Sequence, residues 1–203
     1  MPRKTARPAA HAARPSTYQF TITLRDTQPP IWRRIRLGDG SLDDLHAAIQ
    51  AAMGWADKHR HYFHIDDRHY GRPDRLADRP FAADVVDSAA TSLADILRAD
   101  RTPLRFAYVY DMGDRWEHDV VFEGCVEAPP IASCIDGGRA CPPEDCGGVG
   151  GFEYLLEVLG DPDHSEHLDA VESMGNYDPA DFDPVWATAR MTRSLKTSGL
   201  RAS

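Results

Sequence analysis

Three histidines crowd into HRHYFHI, residues 59–65. Period-two alternation places His59 and His61 with Phe63 and Ile65, and Arg60, Tyr62 and His64 on the other face. Neutral imidazoles two residues apart on one strand can converge on Zn²⁺ with a third from a neighbouring strand. The third is offered by YVYDMGDRWEHDVVFEG, residues 108–124, which reads as a β-hairpin. A three-residue loop, Asp111-Met112-Gly113, pairs Tyr108 with Trp116 and Phe106 with His118, makes one face apolar, and requires Gly113 to be left-handed in a bulge. His46 shares a helical face with Leu42, Leu45 and Ile49. The spacing therefore predicts a polar pocket lined by His46, His59, His61, Asp111, Trp116 and His118, with His59, His61 and His118 as one possible zinc set. Carboxylates beside the histidines could serve as general base, with Asp114 and Glu117 the candidates. Alternation sends Glu117 to the face opposite His118, and an inward histidine commonly does no more than satisfy a buried carbonyl.

A second cluster is cysteinyl. RACPPEDCGG, residues 139–148, holds Cys141 and Cys146, and Cys134 precedes them. These three could bind zinc, although a zinc knuckle normally repeats its short Cys pair. A packed connection stiffened by Pro142-Pro143 and turned by Gly147-Gly148, or a regulatory disulfide, are the other readings.

The elements that must position these groups follow from patterning. TYQFTITL and PPIWRRIRL read as strands, SLDDLHAAIQAAMGW as a helix capped by Ser41 and stopped at Gly54, and TSLADILRA as a short helix. RHYG returns beside HRHYFHI, residues 71–90 read as a long loop, and a loop of about twenty residues follows Pro129. Helical patterns return in GFEYLLEVLG, DHSEHLDAVESMG and the segment beginning near Pro184. Strands first and helices last predict an α+β class with a mostly antiparallel sheet and one helix between strands.

Charge divides the chain into a body, residues 17–189, and two tails, 1–16 and 190–203. Eight of the 23 Lys and Arg residues lie in the tails, leaving 15 against all 32 Asp and Glu in the body. The first tail is expected to be a disordered basic arm and the last a flexible tail. An acidic body has no basic stripe to release counterions from nucleic acid, so only the arm could touch it. No apolar run approaches the ~20 residues of a membrane span. The expectation is a single cytoplasmic α+β domain with reduced cysteines, whose partner is a protein or a small molecule.

Walker, GxGxxG, GxSxG and HExxH signatures are missing. PPIWRRIRL, LHAAIQAAMGWADKHRHYFHI, YVYDMGDRWEHDVVFEG and CIDGGRACPPEDCGGVGGFEYLLEVLGDPDHSEH, ending in NYDPADFD, resemble in order and spacing the plasmid pRiA4b ORF-three-like family. The resemblance runs from residue 17 to about 189. It implies an α+β fold and kinship with uncharacterised proteins, some carried on plasmids or as passengers of insertion elements, and it carries over no catalytic residue. Its motifs fall on His46, Trp55, His59, His61, Asp111, Gly113, Asp114, Trp116, Glu117, His118, Cys141 and Cys146. Three functions follow as expectations: a binding or interaction module with a histidine-lined pocket and a structural metal; a metal-dependent hydrolase; a nucleic-acid accessory acting through the arm.

Overall fold

Alternation on the first strand is strict enough to orient the whole sheet: Tyr18, Phe20, Ile22 and Leu24 are buried on one face, and Gln19 and Thr21 on the other bond the Glu123 carboxylate at 2.7 and 2.6 Å. The computed structural model describes residues 17–98 and 102–197. The expected arm at 1–16 lies outside them. In chain order the elements are β1 (Thr17–Leu24), β2 (Trp32–Leu37), α1 (Leu42–Met53), β3 (His61–Ile65), β4 (Arg68–Gly71), β5 (Val86–Asp87), α2 (Leu93–Ile96), β6 (Leu104–Tyr110), β7 (Trp116–Val126), β8 (Ser133–Gly138), α3 (Gly148–Gly160), α4 (His167–Met174) and α5 (Pro184–Thr197). The eight strands form one sheet in the order β5-β4-β3-β6-β7-β1-β2-β8. Every pairing is antiparallel except β4 with β5. The chain is α+β.

Helix α1 forms where the pattern predicts. Ser41 and Asp44 make a reciprocal capping box, and Gly54, left-handed at φ 105°, closes the helix through its N–H to the Gln50 carbonyl. Its apolar stripe packs into the same core as Phe20, Ile35, Phe63 and Phe122. Each such side chain contributes about 1.5–3 kcal/mol by leaving water. The helix has no basic residue in its last turn, so its C-terminal carbonyls take cations from elsewhere. Arg33, inward on β2 and only 2% exposed, donates to the carbonyls of Ala52, Trp32, Gly138 and Arg139 at 2.7–3.0 Å. Arg190 of α5 donates to Ala51 O at 2.9 Å. Burial pushes the Arg33 guanidinium below its ordinary range.

Four features differ from the sequence expectation. The hairpin register is displaced by two residues: Tyr110 pairs with Trp116, Tyr108 with His118 and Phe106 with Val120. The turn spends five residues, Asp111 to Arg115, with Asp111 and Arg115 rather than Gly113 left-handed, because the Asp111 carboxylate captures the Gly113 N–H at 2.8 Å and the Asp111 carbonyl takes the Arg115 N–H at 2.8 Å. A shift of two leaves every side chain on its expected face. Within the loop after Pro129 lies β8, an edge strand paired to β2. Between 71 and 90 sit two short 3-10 turns and β5. Helix α5 continues to Thr197, past the boundary at 189, because Met191 and Leu195 are buried against the core; of the expected basic tail, residues 198–203 lie outside the described residues.

Candidate functional site

The end of α1 is fastened to the cysteine loop. The Trp55 indole N–H donates to Pro142 O at 3.0 Å, and its ring stacks on Tyr110 with centroids 5.0 Å apart. The Ala56 N–H donates to Glu144 at 2.8 Å. The Tyr110 hydroxyl accepts the Lys58 N–H at 3.1 Å and donates to the Glu144 carboxylate at 3.1 Å. Burial and the neighbouring Glu144 charge push that phenol well up, so it stays a donor.

These bonds bring three carboxylates onto one imidazole. His59 Nε2 lies 2.9 Å from Asp145 Oδ1, 3.6 Å from Asp111 Oδ2 and 3.7 Å from Glu144 Oε2. The nitrogen is buried and, like His61 Nε2 and His118 Nε2, lacks a directed hydrogen bond; what sets it apart is the three carboxylates around it. Asp111 is held for this role by its turn, since Oδ1 accepts the Gly113 N–H and leaves Oδ2 toward His59. Around Zn²⁺, with donors at about 2.0–2.2 Å, neighbouring ligand atoms stand about 3.4 Å apart. The three separations bracket that value, and single ligand atoms of His59, Asp111 and Asp145 lie within 4.8 Å of one another. One imidazole and two carboxylates form a borderline-to-hard donor set with excess negative charge, suited to a divalent first-row cation, while Glu144 faces His59 from outside that group and already accepts from Ala56 N–H and the Tyr110 hydroxyl.

The other inward histidines are engaged differently. Tyr108 accepts from Gln50 Nε2 at 2.9 Å, so its hydroxyl donates to His46 Nδ1 at 2.7 Å and His46 Nε2–H faces Asp57 Oδ1 at 3.0 Å. His61 stacks on His46 with centroids 3.4 Å apart and planes 11° from parallel. His46, Asp57 and His61 offer atoms within 4.8 Å of one another. Each ring's lone pair lies in its own plane, however, and two nearly parallel planes do not aim at one point. This is a packed relay. Burial, then the adjacent His46, holds His61 well below the usual imidazole range. His118 is fully buried, with Nδ1–H on Tyr108 O at 3.2 Å, and burial lowers it to about 4.

The predicted zinc trio is thus not brought together: His59 joins Asp111 and Asp145, His61 joins His46 and Asp57, and His118 joins neither cluster. Nor do His46, His61, Trp116 and His118 rim an open pocket, since all four are buried in the core; aromatic neighbours fill the space that a pocket would need. Asp114 does not face His59; its Oδ2 accepts the Gly147 N–H at 3.1 Å and anchors the start of α3. Glu117 binds Arg25 at 2.8 Å and Arg115 at 2.7 Å, on the face opposite His118. Cys134, Cys141 and Cys146 carry free thiols and form no metal-sized group among the described residues. Burial raises all three, Cys146 to about 11 and Cys141 further, which disfavours the thiolate that metal binding needs. Sequence reasoning missed Glu144 and Asp145, which lie between the two cysteines it weighed. The available signal was an acidic pair held between Pro142-Pro143 and Gly147-Gly148, stiff on one side and tightly turned on the other.

Residues 16–185 match the family model described as Plasmid pRiA4b ORF-3-like protein. The chain belongs to this family. The uncharacterized protein y4hQ of Sinorhizobium fredii, also similar to this pRiA4b ORF-3-like chain, is 33% identical over 170 residues, covering 80% of this chain and 83% of its own. A crystal structure of a protein of unknown function from Methanosarcina mazei Go1 superposes with a TM-score of 0.73 at 33% identity, covering 84% of this chain and 97% of that one. Among the described residues no helix is long and apolar enough to cross a membrane.

Proposed function

We propose that the protein is a binding module whose centre is a divalent cation, Zn²⁺ in the first instance, held by His59, Asp111 and Asp145, with Glu144 facing the same imidazole. The observation that carries this reading is the buried His59 Nε2, which three carboxylates from two other chain segments face at 2.9–3.7 Å. A cation there ties the hairpin turn to the loop before α3, a structural rather than a catalytic task. The hydrolase alternative finds less support, because neither candidate base belongs to a metal-sized group among the described residues and Glu117 is held by two arginines on the face opposite His118.

The experiment is elemental analysis of tag-free protein, followed by zinc and manganese titration of chelated protein, with His59→Ala, Asp111→Asn and Cys141→Ser alongside wild type. About one equivalent of metal is expected in wild type and Cys141→Ser, and much less in the other two. At a free metal concentration one hundred times Kd, binding stabilises by about 2.7 kcal/mol, or about 5–10 °C in Tm for a chain of this size. Loss of metal in Cys141→Ser alone moves the site to the thiols. No metal and no Tm shift in any sample ends the reading.

A further inference from the structure

Between Arg139 and Arg190 the chain carries twelve Asp and Glu residues and no Lys or Arg. That stretch includes the loop at 144–145, α3, α4 and the start of α5. It is also where large apolar side chains are left in water: Leu168 is 80% exposed, Val185 74% and Trp186 67%. Helix α4 buries none of its eight residues. A helix that short is marginal alone and ordinarily depends on an apolar face packed against something.

Two cavities open beside it. One, of about 610 Å³, lies between α3 and α4; the other, of about 450 Å³, lies between α4, α5 and the end of α1 and has Trp186 in its wall. They share Pro143, Glu144, Ser173 and Met174, so they are adjacent parts of one groove. Glu166 and Asp169 line the first and Asp181 and Asp183 the second, and these four make the rim; of the two others that line the first, Asp145 is taken by the proposed cation and Glu144 by the Ala56 N–H and the Tyr110 hydroxyl. Arg33 and Arg190 also reach the second, each already donating to carbonyls at the end of α1. Apolar side chains, Leu155, Val158, Met174 and Trp186 among them, interleaved with carboxylates fit a ligand that presents both apolar anchors and cations. The chain's own basic arm lacks the anchors, since Met1 is its sole large apolar residue.

We propose that the α3–α4–α5 surface docks a cationic amphipathic helix of a partner protein, with its apolar side chains entering the two cavities and its Lys and Arg side chains meeting the acidic rim.

The test is fluorescence anisotropy with a labelled Leu/Lys peptide about four turns long, its leucines at helical i, i+3, i+4 and i+7 spacing. A scrambled peptide of the same composition is the control. Tyr154→Ser/Trp186→Ser is the variant, one residue from the wall of each cavity; the two side chains are 46% and 67% exposed, and an unchanged melting curve verifies its fold. The expected result is saturable, salt-sensitive binding to wild type, weakened about tenfold or more by scrambling and again by the double substitution. Absence of binding, equal affinity for the scrambled peptide, or an unaffected double variant would each overturn the proposal. So would sedimentation showing a wild-type dimer that the double variant converts to monomer, because a second copy would then cover this face.

Discussion

The indole N–H of Trp55 donates to the Pro142 carbonyl at 3.0 Å, tying the end of α1 to the loop that carries Glu144 and Asp145. Trp55→Phe keeps an aromatic ring near Tyr110 but removes the donor together with the volume of the second ring, which packs in the core, so a cavity cost adds to the lost bond. Loss of a buried hydrogen bond that leaves its acceptor unpaired costs about 1–2 kcal/mol, which urea unfolding will read. Because the bond orients the loop that carries the proposed ligand Asp145, zinc affinity should fall about tenfold, the scale seen when groups supporting metal ligands are removed. Unchanged affinity in a zinc titration would show that the loop is held without it.

Gly148 and Gly150 make a matched pair of tests in the first turns of α3. A Cβ on Gly148 would lie 2.5 Å from the Asp114 carbonyl oxygen, at a backbone φ of +69°, whereas one on Gly150 would meet nothing within 4 Å. Gly148→Ala should therefore destabilise by about 2 kcal/mol or more through clash and left-handed strain. Gly150→Ala should be neutral or stabilise by up to about 1 kcal/mol from helix propensity. Equal denaturation midpoints for the two variants would contradict the close approach of α3 to the hairpin turn.

His118 gives the fold a pH dependence whose sign can be worked out. Burial lowers its pKa to about 4, against about 6.5 in an unfolded chain. Between those values the unfolded state binds the extra proton, so stability is highest above pH 6.5 and declines as pH falls toward 4, by about 3 kcal/mol in all. His118→Gln should reduce that slope in unfolding experiments across the range, leaving the part due to His61, which burial also holds low. A variant with the wild-type slope would assign the proton elsewhere.

Much of this architecture is legible in the residues, and the exceptions have physical causes. Ser41, Asp44 and Gly54 define α1 because capping is local chemistry. The inward faces of β3, β6 and β7 follow from alternation, which survives a register error of two because the pleat repeats every two residues. The length of the β6–β7 turn was not legible, since it depends on one carboxylate choosing the Gly113 N–H. Strand β8 carries no apolar alternation, and only Cys134 of its six residues is buried. The site was half legible. His59 and Asp111 stood out by type and spacing, whereas Glu144 and Asp145 reach them only through Trp55, Ala56 and Tyr110, contacts between distant segments that no local pattern encodes.

Arg33 supplies the last prediction. Its sequence position, between Trp32 and Arg34 on a strand, looks like one charged residue among several, yet the guanidinium is buried with Phe182 stacked at 4.2 Å. Four carbonyls from β2, the end of α1 and the end of β8 depend on its planar fan of N–H groups. Lysine preserves the charge but offers one nitrogen at the end of a shorter reach, so it can serve one or two of those acceptors and leaves the rest unpaired. Arg33→Lys should accordingly cost about 2–4 kcal/mol, close to the cost of Arg33→Met, although the two differ by a full charge. If the lysine variant instead unfolded near the wild-type midpoint, charge at the C-terminal end of α1 would be what matters, and the hydrogen-bond fan would be secondary.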